Sequence, residues 1–224
     1  MLQRLFKYAI KEGYRTDNPA NDITLWKLGE HRAWTDDECA KFEAHWPVGT
    51  MQRRAYALAL FTGQRCGDIA RMTRAHRSDG AIRVVQQKTG TEVWVAEHRS
   101  LQAELGMMGP HMSLLVNARG AAFTSDELSR WFANAIDQAG LPDECKMHGL
   151  RKTAAKMLAE VGCTAHEIMA VTGHKSLKEV ERYTKAAAQK LLAKSAVHKL
   201  EQNVNRTASA KRILPRSAKQ EPRG

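Results

Sequence analysis

The chain has 224 residues, 43% of them hydrophobic, which suffices for one sizeable domain with additional segments. No run of about 18 apolar residues argues for a membrane span, and no apolar leader with a small-residue cleavage site opens the sequence, so a cytoplasmic protein is expected. Lys and Arg number 35 against 24 Asp and Glu, a net charge of +11 that favours a polyanionic partner through counterion release from phosphates.

The first predicted element is a short amphipathic helix over Leu2–Lys11, with Leu2, Leu5, Phe6 and Ala9 on one side. Gly13 and Asn18-Pro19 stop it, and a linker follows to about Arg32. Thr35-Asp36-Asp37-Glu38 has the form of a capping box and opens a helix that Pro47 ends after Trp46. A further helix spans Arg53–Phe61 and stops at Gly63. Ile82–Gln87 and Thr91–Val95 are β-rich around Lys88-Thr89-Gly90, the pattern of a hairpin.

Thr124-x-x-Glu127 caps a helix that ends at Gly140, and another begins near His148 and runs to Gly162. Thr164-x-x-Glu167 and Ser176-x-x-Glu179 cap two more, with a final helix over about Ala186–Leu200. The tail Glu201–Gly224 carries six Lys/Arg against two Glu, so the body retains +7, and the tail's polar, basic composition reads as disordered. The expected fold is mainly α with a small antiparallel β-sheet near the start of the domain. The segments are expected at 1–32 (helix and linker), 33–200 (the main domain) and 201–224 (the basic tail).

Four short segments carry candidate chemistry: Thr62-Gly63-Gln64-Arg65, His148-Gly149-Leu150-Arg151, Thr172-Gly173-His174 and Glu181-Arg182-Tyr183. Each is weak alone, since an HxxR or a GH pair is common. Their order, and the nine residues from His174 to Tyr183, make a specific set. Guanidiniums offer parallel donors and hold their charge, which suits the developing negative charge of a phosphoryl transition state. His148 and Arg151 stand three apart, on one face of a helix. A phenol is a weak nucleophile at neutral pH and needs a proton acceptor and a positive field beside it.

These motifs resemble the tyrosine recombinases, the phage integrase family, over roughly Trp34–Lys199. The resemblance implies a site-specific recombinase or integrase that cleaves and rejoins DNA strands through a 3′-phosphotyrosyl intermediate. It implies catalytic residues Arg65, Lys88, His148, Arg151, His174 and Tyr183, with Lys88 protonating the leaving 5′ oxygen and His148 accepting the tyrosine's proton. It also implies no metal and no cofactor, double-stranded DNA as the partner, and a tetramer of protomers on paired DNA sites. Residues 1–32 would hold the last helix of a preceding DNA-binding domain. Asp68 departs from the family's usual Glu and is expected to support Arg65.

Two other readings compete. Cys145-x-x-His148 and Cys163-x-x-His166 resemble zinc half-sites, although the cysteines form no CxxC pair and are most simply reduced thiols. Leu158–Tyr183 resembles a helix-turn-helix, as in a non-catalytic DNA-binding regulator.

Overall fold

The computed structural model describes residues 2–21 and 31–213, without the side chains of 190, 191 and 203–213. The chain divides into two compact units, Met1–Glu30 and His31–Gly224. In the first, α1 (Leu2–Lys11) buries none of its residues and is followed by a turn at Gly13. The Gln3 side chain donates to the Ala20 carbonyl, and the Asn18 side chain accepts from the Ala20 N–H. The expected linker falls largely on residues 22–30, and the end of the basic tail on 214–224, both outside the described residues.

The second unit is mostly helical with a three-stranded antiparallel sheet. Its helices are α2 (Asp36–His45), α3 (Met51–Thr62), α4 (Cys66–Ala70), α5 (Arg99–Gly106), α6 (Ser125–Gln138), α7 (Met147–Glu160), α8 (Ala165–Thr172) and α9 (Leu177–Ile213). Capping boxes form at Thr35, Thr124 and Thr164, each hydroxyl accepting an otherwise orphaned N–H and each Glu reaching back. Such a cap stabilises a helix by about 1 kcal/mol.

The sheet order is β1 (Arg77–Ser78), β2 (Ala81–Val85), β3 (Glu92–Ala96), with Ile82 opposite Val95 and Val84 opposite Val93. Those four residues face inward, while Arg83, Val85, Glu92 and Trp94 face out, the alternation a half-buried sheet demands. The hairpin expected from the sequence is therefore present, with its first strand one residue shorter, its second shifted by one, and Gln86–Thr91 as its turn.

α3 is buried along most of its length and packs on α5 and α7. Beside it Trp34, Phe42, Tyr56 and Phe132 form an aromatic cluster, with neighbouring ring centroids 5.1 to 6.4 Å apart. Trp34 also fixes the start of α7: its indole N–H donates to the Lys146 carbonyl, and its backbone N–H to Thr153 Oγ1. Gly149 makes that contact possible, because a Cβ there would stand 2.5 Å from the Arg32 carbonyl oxygen and 2.9 Å from the Trp34 ring.

A second, much smaller core of Ala155, Ala159, Ile168, Val180 and Ala187 joins α7, α8 and α9. The two helices expected over 176–200 are one, since α9 runs unbroken from Leu177 past residue 200 to Ile213. The short α4, the α5 helix and β1 had no counterpart in the sequence pattern. No helix among the described residues is long and apolar enough to cross a membrane.

Candidate active site

Two helix ends converge on one arginine. α3 and α8 both stop at a glycine in the left-handed conformation, Gly63 (φ 61°) and Gly173 (φ 68°). These stops leave the carbonyls of Gly63 and Thr172 to accept from Arg151 Nη1, both at 2.7 Å. Carbonyls at helix C-termini carry the negative end of the helix dipole, so they suit a guanidinium. Arg151, on the inner face of α7, is only 3% exposed. Its Nη2 finds no hydrogen-bond partner among the described residues.

Arg65 precedes α4 and sits beside this group. Its Nη1 donates to Gln86 Oε1 at 3.0 Å. Burial, and then the like charge of Arg65, lowers the Arg151 pKa to about 10, with Asp68, Glu179 and Tyr183 pulling the other way. Arg151 stays charged at neutral pH.

His148 stands one turn before Arg151 on α7 and remains solvent-accessible. Partial burial of its ring, and then the charges of His31, Arg151, Lys152 and Arg65, lower its pKa to about 4. The His31 ring meets it edge-on, with centroids 5.4 Å apart. His174 follows the α8 stop, its Nδ1 2.6 Å from Thr172 Oγ1. Burial, followed by Arg151, Arg65 and His148, lowers its pKa to about 4 as well. Both imidazoles are therefore neutral at pH 7.

Tyr183 lies on α9, half-buried, with its ring packed against the small Ile168–Val180 core and Arg182 over one face at 5.7 Å. Lys88 is exposed in the hairpin turn. The turn, rather than the amine, joins it to the cluster. Gln86 closes that turn through its own backbone, accepting from Gly90 N–H and donating to the Thr91 carbonyl.

Asp68 does not orient Arg65. Its Oδ1 accepts from Arg71 Nη2 at 3.1 Å and from the Gln87 N–H at 2.8 Å, so it ties α4 to the hairpin turn. The partner that does hold Arg65 is Gln86, which the sequence reading passed over. Its signal was there: Gln86 continues the inward phase of Ile82 and Val84, a polar residue where the alternation asks for an apolar one. His31 was also missed, and no local pattern marks it.

The zinc half-sites do not meet. The Cys145 thiol is buried beside Arg32 and Glu38, and burial pushes its pKa up to about 11. Among the described residues no group of three or more His, Cys, Asp or Glu gathers where it could hold a metal ion.

Comparison with known proteins identifies the family. A family model described as the phage integrase family matches residues 38–190. The integrase of Enterobacteria phage 434 is 29% identical over 198 residues, covering 81% of this chain and 55% of that protein. A lambda integrase dimer bound to a core site superposes with a TM-score of 0.69 at 27% identity, over 82% of this chain and 70% of that one. A lambda integrase tetramer bound to a Holliday junction gives 0.66 at 28% identity, over 78% and 56%. The chain thus spans about half the length of the curated relatives it matches.

Proposed function

The chain belongs to the phage integrase family, and from that premise we propose that it is the strand-transferring part of a site-specific DNA recombinase. The observation that carries the reading is Arg151: a buried guanidinium anchored by two helix-end carbonyls, with one nitrogen unpartnered among the described residues and Arg65 alongside. A buried charged donor calls for an anion to complete it, and a backbone phosphate supplies one.

In this reading Arg65 and Arg151 take the non-bridging oxygens as charge builds on them. Neutral His148 accepts the proton of Tyr183 as the phenolic oxygen attacks phosphorus. The Thr172 hydroxyl gives its one proton to the Ile168 carbonyl, so His174 donates its Nδ1–H to Thr172 Oγ1, and its Nε2 donates to the same phosphate once the bound anion has brought a second proton onto the ring. The bond from phosphorus to the 5′ oxygen breaks, and Lys88 protonates that oxygen. A 3′-phosphotyrosyl ester results. A 5′ hydroxyl of another strand then attacks it, returns the proton to tyrosine and restores the phosphodiester. Energy is conserved in the ester, so no nucleotide is consumed.

The partners follow from the chemistry and from the relatives. Double-stranded DNA is the substrate, bound by a basic chain with a net charge of +11. The lambda integrase assemblies, a dimer on a core site and a tetramer on a Holliday junction, support a tetramer on paired sites. A cytoplasmic, DNA-associated location follows. The regulator reading is not favoured, because the matching family model and relatives are those of integrases and tyrosine recombinases. The test is incubation with a nicked DNA site: wild type forms a covalent protein–DNA adduct and Tyr183→Phe binds but forms none. Binding without any adduct in wild type would favour the regulator.

A further inference from the structure

Gln86 has no exposed surface, and it uses every hydrogen-bonding position of its side chain. Oε1 accepts from Arg65 Nη1 at 3.0 Å and from Thr89 Oγ1 at 2.9 Å. Nε2 donates to Gln64 Oε1 at 2.7 Å and to the Thr172 carbonyl at 2.8 Å. Gln64 is itself buried and donates to the carbonyls of Thr62 and Val171. One amide therefore touches three separate pieces of the site: Arg65 ahead of α4, the turn that carries Lys88, and the α8 stop that carries His174.

The fit is tight. A Cβ on Gly173 would run into the Gln86 amide, so the glycine of the Gly-His pair is required by Gln86 as well as by its own positive φ. Few side chains can replace this one. Glutamate keeps the acceptors but sets a carboxylate against the Thr172 carbonyl. Methionine keeps the volume and makes none of the bonds.

We propose that Gln86 is a positioning residue for strand cleavage, holding Arg65 and the Lys88 turn in register with the Gly173-His174 turn. Without it, Arg65 keeps its charge but loses the bond that fixes its direction. A transition-state donor displaced by about 1 Å can forfeit on the order of 100-fold in rate. The proposal rests on the recombinase reading, and its test separates the two.

The measurement is single-turnover formation of the covalent adduct on a nicked DNA site by the full chain, with DNA binding followed in parallel. Wild type is compared with Gln86→Met, Arg65→Ala and the double variant, at a temperature where circular dichroism shows each to be folded. Gln86→Met should bind DNA as wild type does and cleave roughly 100-fold more slowly. In the Arg65→Ala background the same change should cost less than about fivefold, since residues acting as a unit are not additive. A Gln86→Met rate equal to wild type, or a loss undiminished in the Arg65→Ala background, overturns the proposal. The second of these results is what a merely structural role would give. If Gln86→Met does not fold, Gln86→Leu, which also lacks the acceptor for Arg65, takes its place under the same criteria. If wild type forms no Tyr183-dependent adduct, the recombinase reading fails and takes the proposal with it. An adduct in wild type with no effect of Gln86 removes the positioning role alone.

Discussion

Arg151 and Tyr183 stand on helices packed against each other, yet they are held in opposite ways. Arg151 is buried, takes two helix-end carbonyls, and sits on a helix keyed to the main aromatic core through Trp34. Tyr183 is half-buried and leans on a core of five small or medium residues. The side proposed to bind phosphate is thus fixed by polar contacts of defined direction, which cannot shift without leaving a buried group unpaired. The tyrosine side rests on non-directional apolar contact, which tolerates small displacements. In the proposed reaction the arginines must meet oxygens at fixed positions while the phenol need only close on phosphorus, so direction matters more on the first side than on the second.

Removing the clamp is the severest way to break this contrast. Arg151→Ala should lower the rate of adduct formation by roughly 100-fold or more, and Arg65→Ala similarly. Arg151→Lys should rescue poorly, because one ammonium lacks the planar fork that can hold carbonyls and phosphate together. Near wild-type single-turnover rates in the lysine variant would count against the clamp.

Loosening the small core should cost less in rate. Ile168→Ala should lower stability by about 2–5 kcal/mol in denaturant unfolding. It should slow adduct formation by roughly tenfold by misplacing the phenol, while DNA binding persists. If stability falls and the rate holds, the cluster does not position Tyr183.

A milder perturbation is pH. His148 and His174 have folded pKa values of about 4, below the ordinary 6.5, so the unfolded chain binds more protons between those limits. Their contribution to stability is fully present above about pH 6.5 and is lost as pH falls towards about 4. Melting temperature followed over that window should drop in wild type and drop less in His174→Gln. Equal slopes would mean that His174 is not held neutral. The smallest expected effect is that of chelation: with arginines meeting the phosphate charge, excess EDTA should leave the adduct rate unchanged. Loss of rate restored by one divalent ion would indicate metal-dependent cleavage instead.

Much of the site was legible because its residues lie in short segments whose local chemistry is distinctive. Thr62-Gly63-Gln64-Arg65 announces a helix stop followed by a cation, and Thr172-Gly173-His174 a second stop followed by an imidazole. His148 and Arg151 follow the helical period. The capping boxes at Thr35, Thr124 and Thr164 mark helix starts for the same reason, since cap and acceptor lie three residues apart. What escaped depends on contacts distant in sequence. Gln86 meets Arg65, Gln64 and Thr172 only after the hairpin packs on α8. Asp68 turns to Gln87 rather than to Arg65 for the same reason. α5 was missed because its cap is His98, whose ring nitrogen accepts from the Ser100 N–H, an unusual residue in that role.

The central claim is that Tyr183 becomes covalently joined to DNA. The chain has four tyrosines, and three of them make good controls: Tyr56 is fully buried in the aromatic core, while Tyr8 and Tyr14 are exposed in the first unit. The decisive measurement is to trap the adduct on a nicked site, digest it, and identify by mass spectrometry the peptide that carries the 3′-phosphate remnant. The expected remnant is on the peptide containing Tyr183 and on no other. A remnant on Tyr8, Tyr14, a serine or a cysteine, or no covalent remnant at all, would contradict it.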